Sequence, residues 1–240
     1  DVATRPAVVE LQSDYINGRV TGDFVPSVLR SECVGAAMEV FPAFAQAGHP
    51  ATDTGCANDF DFEFTIADAE ELSRFFNLPV QIIHPIEISG AVACAERAMR
   101  VEVDAPYLQQ ADKIIDNTAV YASLDGTEGV ATVYCTTHMP TKKGPMAAVL
   151  NVRAADNVVG TVADWTIERK IPLNGTLSFS TALHPGADGR VAADVDFHPG
   201  TINFGDDVWT IRPSRVSWSD GVAEVRDFAL TAGDQRLACL

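Results

Sequence analysis

An all-β fold with mostly antiparallel pairing is what this sequence predicts, and three observations carry it. Between Arg190 and Leu240 nearly every position follows a two-residue alternation interrupted only by turn residues. Phe60, Phe62, Phe64 and Ile66 alternate strictly with Asp59, Asp61, Glu63 and Thr65. Helical periodicity is confined to two short stretches, so alternating βαβ units cannot be assembled. A half-buried strand needs one apolar face and one wet face, and both alternating segments supply that pair.

In chain order, Val8 to Val20 reads as two short strands around the segment Asp14 to Gly18, with Gly22 closing it before Phe24. Residues 26–41 form a predicted amphipathic helix. Pro26 suits a first helical turn, and Val28, Leu29, Cys33, Ala36, Ala37, Val40 and Phe41 recur at helical spacing until Pro42. A helix in front of a β meander serves to cap a sheet end or plug an opening. Ala45 to Asn58 carries Gly48, Pro50 and Gly55 without periodicity and is expected to be a loop. The strand of residues 59–66 follows. Asp68 then suits the cap of a short helix, Ala69 to Phe76, which Asn77-Leu78-Pro79 stops.

From Val80 the β rhythm runs through Ile82, Ile86 and Ile88, then Met99, Val101 and Val103, then Val120, Ala122 and Leu124. Asp125-Gly126 reads as a turn before Val130 to Thr137. Three further runs, Met146 to Ala154, Val158 to Ile167 and Leu173 to Leu183, come with expected turns at Asn174-Gly175 and Asp188-Gly189. Val191, Ala193, Val195 and Phe197 then face away from Ala192, Asp194, Asp196 and His198. Turns are expected at His198-Pro199-Gly200, Gly205-Asp206-Asp207 and Arg212-Pro213-Ser214, leading into Ile202 and Phe204, Trp209 and Ile211, and Val216 and Trp218. Asp220-Gly221 and Ala232-Gly233-Asp234 complete the series. The reading totals about fifteen strands and two helices in one domain, 1–240, whose main β meander is 59–240.

Composition limits the partners. The 240 residues include 33 acids against 17 bases, a formal charge of −16 that opposes phosphate backbones and anionic lipid surfaces. Apolar residues at 47% and charged residues at 21% are those of an ordered chain. Runs of 18 apolar residues and a charged-then-apolar leader are both missing, so a membrane span or signal peptide is not expected. The abrupt start at Asp1 and the strand pattern running to Leu240 read as a fragment of a longer chain. Cys33, Cys56, Cys94, Cys135 and Cys239 lack the short paired spacing of a zinc site or disulfide scaffold.

Catalytic signatures are likewise missing: no nucleophile elbow, phosphate loop, His-Glu-x-x-His or dinucleotide fingerprint occurs. Four histidines precede proline, which suits extended backbone at strand ends and gives no metal-ligand spacing. Asp59, Asp61 and Glu63 read as the solvated side of a strand. Trp209 and Trp218 keep phase with Ile211 and Val216, on the apolar side.

Several segments carry a family likeness: Asp14-Tyr-Ile-Asn-Gly-Arg-Val-Thr-Gly-Asp-Phe24, Phe60-x-Phe-x-Phe-Thr-Ile66 and Leu72-Ser-Arg-Phe-Phe-Asn-Leu-Pro79. Pro199-Gly-Thr-Ile202, Trp209-Thr-Ile-x-Pro213 and Asp227-Phe-Ala-Leu-Thr-x-Gly-Asp-Gln-Arg-Leu237 continue the series. In order and spacing they resemble the TamB and AsmA-like family of bacterial envelope proteins, in the C-terminal part of a TamB-type chain. The resemblance implies an elongated, curved sheet folded lengthwise into an apolar groove (β-taco-like), in a parent anchored in the inner membrane and spanning the periplasm. It also implies phospholipid transport to the outer membrane, assembly of outer-membrane proteins with a TamA- or BamA-type barrel partner, and no enzymatic activity, cofactor or metal.

On pattern, the groove-lining candidates are Phe60, Phe62, Phe64, Ile66, Val195, Phe197, Ile202, Phe204, Trp209, Ile211, Val216 and Trp218. Phospholipid acyl chains are the expected ligand. So many one-sided strands leave more apolar face than two helices can cover, so the face must meet another sheet, curl upon itself or hold a ligand. A carbohydrate- or protein-binding β-sandwich of the cell envelope is the alternative the alternation equally allows.

Overall fold

The computed structural model describes residues 7–46, 56–67, 73–74, 77, 81–110, 113–186, 190–219 and 221–238. Its strands form one 18-stranded sheet, and every pairing is antiparallel. β1 (Val8–Leu11) and β2 (Ile16–Asp23) open it as a hairpin, with the reversal at residues 12–15 and Ile16 to Gly18 already inside β2. After two helices, β3 (Asp59–Ile66) pairs with the free side of β2. β4 (Gln81–Ile82) and β5 (Ile86–Ala93) follow, and both lie against β6 (Ala98–Gln110). β7 (Lys113–Asp125), β8 (Val130–Thr141), β9 (Gly144–Ala155), β10 (Val158–Ile167) and β11 (Leu173–Pro185) are each added beside the preceding strand.

Beyond β11 the rows are interrupted but keep the same logic. β12 (Val191–Phe197) and β13 (Gly200–Phe204) both pair with β11. β14 (Asp207–Ile211) pairs with β13 and β15 (Ser214–Ser219) with β12. β16 (Val222–Arg226) lies against β15, β17 (Ala229–Ala232) against β14, and β18 (Gln235–Ala238) against β17. Each adjacent short pair is one long row with a break in it. The breaks fall at His84-Pro85, His198-Pro199, Arg212-Pro213 and Asp227-Phe228. Proline cannot donate to the ladder, so three of the four breaks mark a bond the row must give up. At the fourth, Asp227 takes a positive φ of 59°.

Three expected turns are therefore corrected. His198-Pro199 and Arg212-Pro213 interrupt rows without reversing them: Phe179 faces Phe197 while Thr176 faces Thr201, a one-residue slip characteristic of a bulge. Asn174-Gly175 also lies inside a strand, β11. True reversals occur at Gly205, Gly221 and Gly233, where φ is 60°, 77° and 53°. The expected helix from Ala69 to Phe76 falls almost wholly outside the described residues, as does the turn at Asp188-Gly189.

Helix α1 (Pro26–Val40) forms as its spacing predicts, with Pro26 in the first turn and Ala36 and Val40 buried. Pro42 ends it and, contrary to expectation, starts a second helix, α2 (Pro42–Gln46); proline's fixed φ suits a first turn as well as a stop. The two helices lie across hairpin ends on one margin of the sheet. Glu39 pairs with Arg97 in the β5–β6 turn. Asn157, in the β9–β10 turn, donates its N–H to the Val40 carbonyl (3.0 Å) and accepts the Ala43 N–H on Oδ1 (2.7 Å). At the other end of α1, the fully buried Asn58 accepts the Val25 N–H on Oδ1 (2.7 Å) and donates to Glu32 Oε2 (2.6 Å).

The sheet does not close. Paired with β2 alone, β1 leaves one side free, and so does β18, paired with β17 alone. A compact monomer of this mass exposes about 10,400 Å². This chain exposes 15005 Å². Only twelve apolar residues are buried among those described, too few for the sealed core of a two-layer sandwich of this length.

Candidate apolar binding face

Cross-strand partners in an antiparallel sheet point to the same side, so a chain of registers shows which side chains share a face. Starting at Phe62, the partners run Gly90, Val101, Ala122, Val133, Val152, Thr161, Phe179, Phe197 and Ser214. That ladder crosses ten strands, and only its two hydroxyl-bearing members are polar. Parallel ladders flank it: Phe64 leads to Ile88, Val103, Val120, Cys135 and Leu150, and Phe60 leads to Val92, Met99, Leu124 and Ala131. Ile66 faces Ile86.

All twelve candidates from the sequence fall on this one face. Val195 and Phe197 stand beside Thr181 and Phe179, and Val195 also faces Val216. Ile202 faces both Gly175 and Trp209; Ile211 faces Gly200, Phe204 faces Leu173, and Trp218 faces Ala193. Phe60 and Ile211 are buried, at 6% and 3% exposure. Phe62, Phe64, Ile66, Val195, Phe197, Ile202, Trp209 and Val216 are half-buried. Phe204 and Trp218 are open, at 42% and 48%. The face is thus half-buried along most of its length, with open positions at Leu150, Phe204 and Trp218. Sequence reading missed its central part, Val101, Ala122, Val133, Val152 and Phe179. Their alternation is legible strand by strand, but their facing relative to Phe62 depends on register.

Aromatic rings lie down on this face because glycines opposite make room for them. The Phe64 ring covers the space where a Cβ of Gly18 would stand, and the Phe62 ring does the same at Gly90. The Trp165 ring would lie 2.5 Å from a Cβ at Gly175. The rings also meet one another: Phe24 with Phe60 at 4.9 Å, Phe60 with Phe62 and Phe62 with Phe64 at 6.0 Å, Phe179 with Phe197 at 5.6 Å. Phe197 also reaches Phe228 at 6.2 Å, across the row that holds the small, buried Ser214. Replacing Gly90 by valine drives the new side chain into the Phe62 ring and the Arg100 carbonyl, which is backbone and cannot step aside. The expected cost is about 1–3 kcal/mol in chemical denaturation; an unchanged midpoint would mean that the ring does not rest there.

The opposite face carries most of the charged side chains, with the exposed Tyr121, Tyr134, Val158, Val162 and Val208 set among them. Asp59, Asp61, Glu63 and Thr65 are all exposed. Asp196 accepts two bonds from Arg215, 2.6 Å from Nε and 2.8 Å from Nη2, which hold its carboxyl below the usual range and raise the guanidinium. Asp194 is lowered by the Ser217 hydroxyl and by His184, whose Nε2 lies 3.2 Å away. Glu224 and Arg226 form a second two-bonded pair. A 710 Å³ concavity on this side carries Glu63, Glu87, Glu102, Asp104, Tyr121 and Tyr134. Neither face brings three metal-ligating side chains together among the described residues. The arrangement offers one-sided hydrophobic contact on a scaffold whose other side is held in water by charge. No protein-family model, curated protein or solved structure matches the chain.

Proposed function

We propose that the apolar face binds phospholipid acyl chains, and that the sheet curls lengthwise around them as a groove of the TamB-like kind. The observation that carries this reading is the apolar ladder from Phe62 to Phe197, uninterrupted by charge, with most of its side chains only half-buried. Ten adjacent strands at about 4.8 Å spacing make a strip about 43 Å long. Each methylene buried on it contributes about 0.8 kcal/mol, so tens of methylenes are held with no single strong contact. A wall of Val, Ala, Leu and Phe has no directional bonds to break, which suits sliding. Rings lying flat on glycines keep the wall low and smooth.

In this reading the chain is a periplasmic segment of a parent anchored in the inner membrane. It supports phospholipid transport to the outer membrane and outer-membrane protein assembly with a TamA- or BamA-type barrel. The net charge of −16 leaves apolar contact, not headgroup attraction, as the source of affinity. The test places photo-crosslinking residues at Phe62 and Trp209 on one face and at Asp61 and Asp196 on the other. Lipid adducts are expected at the first pair only, with phospholipid recovered by mass spectrometry from solvent extracts. Equal capture on both faces, or no lipid after incubation with liposomes, overturns the reading and favours a protein- or carbohydrate-binding module.

A further inference from the structure

The two edges of the sheet take no part in the binding face. Among the described residues β1 is bonded only to β2 and β18 only to β17, and every side chain of the two edge strands is exposed. An edge presents N–H and C=O groups to any strand that can align with them, and proline and lysine are common guards against this. Neither β1 nor β18 contains proline or lysine. Each carries a single charge instead, Glu10 on β1 and Arg236 on β18, and the two charges are opposite.

Direction and facing match as well. Four rows hold two short strands each, so the eighteen strands make fourteen rows, each antiparallel to the next, and β18 runs opposite to β1. A second copy set beyond β18 in the same orientation therefore brings its β1 antiparallel to β18, with its apolar face on the same side. Val9 and Leu11 stand on that face through Val20 and Gly18, which face Phe62 and Phe64. Leu237 stands on it through Leu230 and Ile211. One register engages all four residues of both strands and respects these faces: Val8 with Ala238, Val9 with Leu237, Glu10 with Arg236 and Leu11 with Gln235. On the opposite face it adds Arg236 to the cross-strand series Glu10, Arg19 and Glu63, whose charges already alternate in sign.

From this match we propose that β1 of one copy adds to β18 of another, joining chains head to tail through their edges. Pairing an edge with its own copy is poorer. With the apolar faces aligned, such a two-fold junction engages three residues of the four and sets two Glu10 or two Arg236 side chains on one face, directly opposite or diagonal. Like charges so placed are destabilising. The head-to-tail contact leaves a β1 free at one end and a β18 free at the other, so it does not close and the assembly has no fixed number of chains. One pair of short strands is a small contact, and the expected Kd is about 10 μM to 1 mM. The inference rests on the edges alone and stands apart from the lipid reading.

The test is sedimentation equilibrium of the whole chain at concentrations up to about 1 mM. The weight-average mass is expected to rise with concentration, past about twice that of one chain, without levelling off. Glu10→Arg and Arg236→Glu should each weaken association about tenfold, since each sets like charges at the junction. An equimolar mixture of the two variants, or both substitutions in one chain, should restore it, because opposite charges then meet at every junction. Both positions are exposed, and circular dichroism checks that each variant keeps the fold. The mass of a single chain at about 1 mM overturns the proposal and leaves the edges to strands of another protein. A mass that stops at two chains overturns it in favour of a two-fold contact. Variants that associate like the unsubstituted chain, or a mixture no stronger than either variant alone, overturn it too.

Discussion

Replacing Asn58 by alanine is expected to remove about 2–4 kcal/mol of stability, the largest loss from any single polar substitution in the described residues. The side chain has no exposure, and its Oδ1 is the acceptor for the N–H of Val25, the residue that precedes α1 and lacks a side-chain cap of its own. Its Nδ2 donates to Glu32, whose other oxygen holds Ala57. Truncation leaves a part-buried N–H and a carboxylate oxygen without partners, and unmade bonds of that kind cost more than the bonds themselves contribute. Hydrogen exchange should quicken through α1 while the β6 to β11 amides keep their protection. Asn58→Asp, the same shape, places a second carboxylate against Glu32 and should be no better. A loss below about 1 kcal/mol for alanine would show that water replaces the side chain and that α1 is held by its other end.

Ala122→Glu is expected to lower phospholipid recovery at least tenfold, whereas Tyr121→Glu, one residue earlier on the same strand, should leave it within twofold. Ala122 sits at the centre of the ten-strand ladder, between Val101 and Val133. A carboxylate there must either be desolvated by acyl chains or hold water on the strip, and either outcome outweighs the methylenes lost around it. Tyr121 faces the polar side beside Glu102 and Tyr134, where another charge meets solvent. Circular dichroism and chemical denaturation separate binding from folding in both variants. Equal losses in the pair would mean that lipid is held by the chain without regard to face.

How far this could be read from sequence depended on the kind of signal. The facing of Phe60 to Ile66 was legible because large apolar and acidic residues alternate without exception, and the Asp125-Gly126 reversal forms where expected. His198-Pro199 and Arg212-Pro213 were misread for a physical reason: a proline that skips a ladder bond and one that reverses the chain make the same local demand. Gly205, Gly221 and Gly233 sit at the true reversals with a positive φ, whereas Gly175 and Gly200 stay within strands. Pro42 is the helical counterpart, stopping one helix and starting the next. The alternation through Ala122 and Val133 is legible, but their sharing a face with Phe62 is not, because register is a property of pairs of strands and not of any one stretch.

Among the described residues each row of the sheet is hydrogen-bonded only to the row before and the row after it in the chain, and this has an evolutionary consequence. Contacts between immediate neighbours make stability close to a sum over adjacent rows, as in repeat proteins. A hairpin, two rows together, can therefore be gained or lost without changing the direction of any later strand or the side on which its apolar residues stand. Losing a single row would reverse everything downstream. The length of the strip is free to drift, but only in even steps.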